Sequence, residues 1–202
     1  MAVVSIKNKL RRGNLLVGND PYIPTDFESI ATVTVGSGGA ANVEFTSIPS
    51  TYTHLQIRAL AKTDRGTYSN DGINITFNSD SGSNYSYHEL TADGTNVSAG
   101  SGATQSYIFL QGLAATTGST STFGVTVIDI LDYANTNKYK TVRGLTGFDN
   151  NSGSTNQAGY ISFGSGNWRN TNAITSITLD QRSSSNFLQY SHFALYGIKA
   201  AS

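Results

Sequence analysis

The chain has 202 residues, with 13 basic and 13 acidic side chains, three histidines and no cysteine. That length buries a core without a metal or disulfide staple, and the missing cysteine excludes disulfides, thiolate nucleophiles and cysteine-ligated zinc. Charge is sparse, so solubility rests on Ser, Thr, Asn and Gly, and no stretch reaches the roughly 20 apolar residues of a membrane-spanning helix.

Residues 1–27 read differently from everything after them. Lys7, Lys9, Arg11 and Arg12 all precede the first acidic residue, Asp20, leaving nine basic against thirteen acidic residues in the remainder. A basic arm is thus attached to a mildly acidic body, and phosphate binding, which needs clustered cations, is not expected of that body. The basic segment is not followed by an apolar core of signal-peptide length, so export by that route is not expected. Ser5 can cap a short helix that places Ile6 and Leu10 on one face, with Gly13 as the stop. Asn14–Thr25 holds two of the three prolines and reads as an extended strap. Its Leu15, Leu16, Val17, Tyr22 and Ile23 are too apolar to remain in water, so the arm is expected to dock on its own body or on a neighbouring subunit.

From residue 28 onward the pattern is strand, turn, strand. Strands are predicted at Glu28–Val35, Asn42–Thr46 and Thr53–Ala61, the last with Leu55, Ile57, Ala59 and Ala61 on one side and His54, Gln56 and Arg58 on the other. Ile73, Ile75 and Phe77 repeat the alternation. Further strands are predicted at Tyr85–Thr91, Ser106–Gln111, Thr122–Leu131, Lys140–Gly147, Gly159–Phe163, Ala173–Asp180 and Gln189–Ile198. Period-two alternation broken by Gly, Asn and Ser clusters indicates an all-β sandwich or barrel. No helical periodicity follows residue 27, which argues against a βαβ enzyme fold. About ten strands suit a jelly-roll-like antiparallel β-sandwich over 28–202, preceded by the arm. Thr63–Gly72, Asn78–Asn84, Ala92–Gln105, Ala114–Ser121 and Asp149–Ala158 read as long polar loops.

Chemistry finds little foothold. His54, His88 and His192 lack the close spacing of a metal site, and no Gly-x-Ser-x-Gly elbow or phosphate-cradling loop is present. Asp129 and Asp132 could suggest a glycosidase pair, but three apart on a strand they point to opposite faces. Asp129 is therefore read as bonded to backbone near a sheet edge, and Asp132 as the start of a turn. The run from Asn78 to Asn84 superficially resembles a calcium loop, yet it offers a single carboxylate, Asp80, where such a site wants several. No catalytic residue, cofactor or metal ligand is assigned. The rings of Trp168, Tyr68 and Tyr85, beside Asn, Asp and Arg, are the candidates for contact with a glycan. Rings of this kind also anchor protein interfaces.

Phe27–Arg58, the segment VIDILDYANTNKYKTVRGLTG and the ending FLQYSHFALYGIK resemble a domain found in virion proteins of tailed bacteriophages, especially those of marine and cyanobacterial hosts. The closing Phe193–Ile198 is similar to the last strand of phage fibre and receptor-binding tips. The resemblance covers residues 27–200 and implies a place, the virion, with no active-site residues to transfer. The expected function is that of a non-enzymatic structural protein, a fibre, capsid decoration or collar appendage. Its anchor would be the arm, through Ile6, Lys7, Lys9, Leu10, Arg11, Arg12, Leu15, Leu16, Val17, Tyr22 and Ile23. The expected partners are other virion proteins and further copies of the chain, with a trimer the arrangement usual for fibres, and neither a membrane nor nucleic acid. The alternatives are a host-glycan-binding module and, behind it, a polysaccharide-degrading enzyme.

Overall fold

A computed structural model describes residues 26–66, 68–116, 121–151 and 159–199. The short helix and strap expected before residue 26 lie outside the described residues, as do all eleven of the arm's anchoring residues. Within them the chain is all-β and contains no helix. The strands are β1 (Phe27–Thr34), β2 (Asn42–Phe45), β3 (His54–Thr63), β4 (Asn70–Phe77), β5 (Tyr85–Ala92), β6 (Val97–Gln105), β7 (Ile108–Ala115), β8 (Gly124–Leu131), β9 (Lys140–Asp149), β10 (Gly159–Trp168), β11 (Ile177–Gln181) and β12 (His192–Ile198).

The strands form one mixed sheet path, β2-β11-β4-β7-β3-β8-β9-β10-β5-β6, with β12 branching from β3 and pairing in turn with β1. All the pairings between these strands are antiparallel except the junction of β3 with β7, where only Lys62↔Ala114 and Thr63↔Ala115 run parallel. Two antiparallel runs therefore meet at one short hinge. One is β1-β12-β3-β8-β9-β10-β5-β6 and the other β2-β11-β4-β7.

The hinge brings β7 across one face of β9 and β10. A methyl built on Gly144 would lie 2.4 Å from Leu110 Cδ1, and one on Gly164 2.4 Å from Leu110 Cδ2. Both glycines thus make room for a leucine that could not otherwise approach. The Thr146 hydroxyl on β9 donates to the Gln111 carbonyl on β7, which ties the two together. Around this contact Ile57, Ile73, Ile75, Leu110, Ile128, Leu179 and Phe193 form a core from which water is excluded.

Two differences from the sequence reading concern element limits. Ala92–Gln105 is not a loop: Val97–Gln105 is β6, which closes a hairpin with β5 through Ala92↔Val97, Leu90↔Ala99 and His88↔Ser101. Its sequence, VSAGSGATQ, holds no large apolar residue after Val97 and so carries no alternation. β10 continues five residues past the expected Phe163, because Gly164, Ser165 and Gly166 pair with both neighbours despite low strand propensity.

Candidate interaction face

The alternation within β8, β9 and β10 decides which side chains meet the core. On the core side of β9 stand Val142, Gly144 and Thr146, and on that of β10 Ser162, Gly164 and Gly166, all buried. The opposite side carries Leu145 on β9, Ile161 and Phe163 on β10, and Val125 and Val127 on β8. This reverses the usual order, in which a one-sided sheet keeps its large apolar groups inward and its polar groups outward. The inner positions are small because Leu110 and Ile108 of β7 occupy the space above them. No packing requirement inside the described body explains why the outer positions are large and apolar.

Register shows how far this outer field extends. One row runs Leu60–Val125–Gly147–Ile161–Ala92–Val97 across β3, β8, β9, β10, β5 and β6. The next runs Arg58–Val127–Leu145–Phe163–Leu90–Ala99 across the same strands. Val125, Ile161, Phe163, Leu145 and Leu90 are each between 50% and 54% exposed. Half of each side chain stands in water while its neighbours on both sides are apolar. Between Val125 and Ile161 the row passes through Gly147, and the missing side chain leaves a hollow of about 410 Å³ lined by Val125, Val127, Leu145, Gly147, Phe148 and Ile161.

The third row is polar and forms the border, with Gln56, Asp129, Arg143, Ser165, His88 and Ser101 in register. The Asp129 carboxylate accepts hydrogen bonds from Arg143 Nη2 at 2.8 Å and Gln56 Nε2 at 2.8 Å. Gln56 Oε1 in turn accepts from Arg58 Nε at 2.9 Å. Partial burial pushes the Asp129 carboxyl upward, but the hydrogen bonds and the positive charge of Arg143 outweigh it and hold it below the ordinary aspartate value. Asp129 is therefore an ionised, fully engaged border residue in mid-sheet. Its partners are side chains of β3 and β9, whereas the sequence placed it on backbone near an edge. Asp132 does open the turn after β8. Its N–H donates to His54 Nδ1 at 3.0 Å and its carboxylate accepts from Lys138 Nζ at 2.5 Å.

No protein-family model and no curated protein matches the chain. A solved structure from Bacteroides vulgatus ATCC 8482, described as a "Putative pore-forming toxin", aligns with 77% of this chain, which spans 51% of that one, at 10% identity and a TM-score of 0.10. A likeness of that size carries no argument about fold or role. The residues must speak for themselves.

Two of the three candidate glycan contacts are buried in the core. Trp168 is 1% exposed and Tyr85 is fully buried. Register sets Trp168 opposite Tyr85 on one side and Lys140 on the other, facing inward. Its ring packs 5.5 Å from Phe77 and 6.3 Å from Tyr85. No ring face of either residue is left for a sugar. Their polar ends are satisfied internally: Trp168 Nε1 donates to Asp80 Oδ2 at 2.8 Å, and the Tyr85 hydroxyl donates to the Asp80 carbonyl at 3.0 Å. Burial raises the Tyr85 phenol to about 12.

The calcium-like run is the plug over this aromatic group. Asp80 accepts from the Gly82 N–H at 2.9 Å and from Asn84 Nδ2 at 3.0 Å as well as from Trp168. Both carboxylate oxygens are spent on protein donors. Burial raises this carboxyl, and the bonds from Trp168, Gly82, Asn84 and Asn170 more than reverse it, so it titrates below the ordinary range. Tyr68 alone of the three remains at the surface, with the Arg65 guanidinium 4.4 Å from its ring centre covering one face. Among the described residues no group of three or more His, Asp or Glu side chains is gathered as a metal site would require.

The outer field itself was missed by the sequence reading. Its signal is present in TVRGLTG and YISFGSG, where large apolar residues alternate with Gly, Ser and Thr. Alternation gives the period and leaves open which parity faces the core.

Proposed function

We propose that the chain is a non-enzymatic structural module of a multi-subunit particle, a tailed-phage virion appendage as its resemblance suggests. The single observation supporting this is the outer field: two adjacent rows that are apolar or glycine at eleven of their twelve positions, Arg58 being the twelfth, bordered by a polar row. Contiguous apolar patches of a few hundred Å² are often functional on protein surfaces, above all when rimmed by polar residues as here. On this reading the two antiparallel strand runs are the facing layers of a jelly-roll-like sandwich. The arm, through its cations and its apolar strap, holds the module to another virion protein. The glycan-binding alternative now rests on Tyr68, with one free ring face, and is the weaker reading.

The test is location. Quantitative mass spectrometry of purified particles should find the chain in a fixed multiple copy number, and deleting residues 1–25 should abolish its incorporation. Absence from purified particles would overturn the proposal. Saturable binding on a glycan array, lost in Tyr68→Ala, would move the function to host recognition.

A further inference from the structure

We infer that the outer field across β3, β8, β9, β10, β5 and β6 seats a second copy of this chain, sheet face against sheet face about a two-fold axis. The inference rests on reading that field as a contact surface, and it names the partner.

Charge favours a copy. Across the three rows the charged side chains are Arg58, Asp129 and Arg143, and Asp129 already bonds Arg143 at 2.8 Å. Arg58 lies 5.1 Å from the Phe27 ring centre and 5.6 Å from that of Tyr196, turned toward β1 and β12 and away from the field. Two copies can therefore meet without opposing like charges, and without a buried ion losing its partner. The chain's own arm fits less well. Its four cations, Lys7, Lys9, Arg11 and Arg12, would find no unengaged carboxylate among those three rows. Its five strap residues are also too few for eleven apolar and glycine positions.

Size points the same way. Six strands about 4.8 Å apart, bearing three side-chain rows about 7 Å apart, give a projected face of roughly 600 Å². The true surface of a pleated sheet exceeds its projection, so one copy buries close to the roughly 800 Å² per partner of a stable interface. Shape is compatible too: two twisted faces pack about 10 Å apart when their side chains interdigitate, and the hollow at Gly147 can receive a side chain as large as Phe163 of the other copy. A surface that meets itself closes a pair. A trimer, expected from the phage resemblance, would need two different surfaces to meet.

The test uses the full chain. Sedimentation equilibrium across a series from about 1 to about 100 µM should give a dimer. Phe163→Glu and Leu145→Lys each place a charge in the centre of the field and should raise the dissociation constant by roughly 100-fold or more. Both positions are half exposed, so far-UV circular dichroism should not change, nor should the thermal midpoint at concentrations where the parent is itself monomeric. Tyr190→Glu, at an exposed residue away from the field, should leave the dimer intact.

A monomer at every concentration overturns the inference. So does a dimer or trimer that both charge variants leave unchanged. A monomer that dimerises only after residues 1–25 are removed also overturns it, because the arm is then the occupant. These results are separable from the assembly reading: a monomeric chain present in particles sinks the pairing alone, whereas a dimer absent from particles sinks the virion role alone.

Discussion

Leu110 stands on a floor of two glycines, and the consequence can be measured as a coupling energy. Leu110→Ala removes three carbons from a side chain only 1% exposed. Leucine-to-alanine changes in cores cost about 2–5 kcal/mol, more where the walls cannot close in. Here the walls are the backbones of β9 and β10, hydrogen-bonded to each other and to strands on either side, so about 3–4 kcal/mol is expected within that range. Gly164→Ala introduces a methyl 2.4 Å from Leu110 Cδ2. Overpacking of this kind costs about 1–3 kcal/mol, offset by about 0.4–1 kcal/mol because alanine leaves the unfolded chain less free than glycine. In the double variant the new methyl enters space the leucine has vacated. It should cost about 2–3 kcal/mol against a sum near 5, a favourable coupling of about 2 kcal/mol. Urea unfolding followed by tryptophan fluorescence, at constant m-value, reads all three changes. If the double variant equals the sum of the singles within about 0.5 kcal/mol, Leu110 does not rest on Gly164, and the placement of β7 against β10 is wrong.

Other expected outcomes concern buried polar groups. Asp80→Asn should cost about 1–2 kcal/mol at neutral pH, since an amide sets its own N–H groups against donors the carboxylate accepted. The Asp80 carboxyl titrates below its unfolded value, so its stabilisation is complete above about pH 4–5 and is lost as pH falls through the folded value. A plot of unfolding free energy against pH should accordingly fall less steeply at the acid end in Asp80→Asn than in the parent, and parallel curves would refute the role. Lys140 is fully buried, and its Nζ donates to the carbonyls of Asn135, Lys138 and Thr171. Burial draws its ammonium down from the ordinary lysine value, but the three carbonyls keep its place in the structure. Lys140→Met should lower stability by about 2–3 kcal/mol and speed amide exchange at 132–138 and 169–176. A neutral effect would mean those carbonyls find water instead.

How much of this was written in the sequence depends on which physical rule a segment obeys. β3 and β4 were legible because Leu55, Ile57, Ala59 and Ala61, and then Ile73, Ile75 and Phe77, put apolar groups on one parity and polar groups on the other. β6 was not, because a hairpin partner at the margin of a sheet needs only backbone bonds, and Ser-Ala-Gly-Ser-Gly supplies those without a hydrophobic period. Trp168 and Tyr85 were misplaced for a related reason. Tyr85 was placed at the start of its strand but read as facing the adjoining polar loop, whereas β10 runs on through Gly164 and Gly166 and carries Trp168 into the core opposite it, on the same parity as those glycines. The outer field hid behind the same ambiguity. In YISFGSG the large residues and the small ones alternate as a core strand would, and only the position of Leu110 on the other run reveals that the small ones are inside.

That inversion also explains why one sheet can hold two kinds of surface. On β3 the outward residues His54, Gln56 and Arg58 are polar, and only Leu60 belongs to the apolar field. Crossing to β8, β9 and β10, the row of Arg58 becomes Val127, Leu145 and Phe163, while that of Gln56 stays polar as Asp129, Arg143 and Ser165. The border between the two regimes is the Arg58–Gln56–Asp129–Arg143 ladder, whose bonds are all made within the face. A chain needing only to fold could place Thr, Ser or Lys at 125, 145, 161 and 163 at no cost to Leu110, since those side chains never touch it, and would gain solubility. Retaining half-exposed Val, Leu, Ile and Phe there, on a sheet whose β6 edge meets no further strand among the described residues, carries a standing risk of aggregation. Burial of the field removes that risk. An apolar field whose one border carboxylate is already engaged by Gln56 and Arg143 is suited to meeting its own likeness.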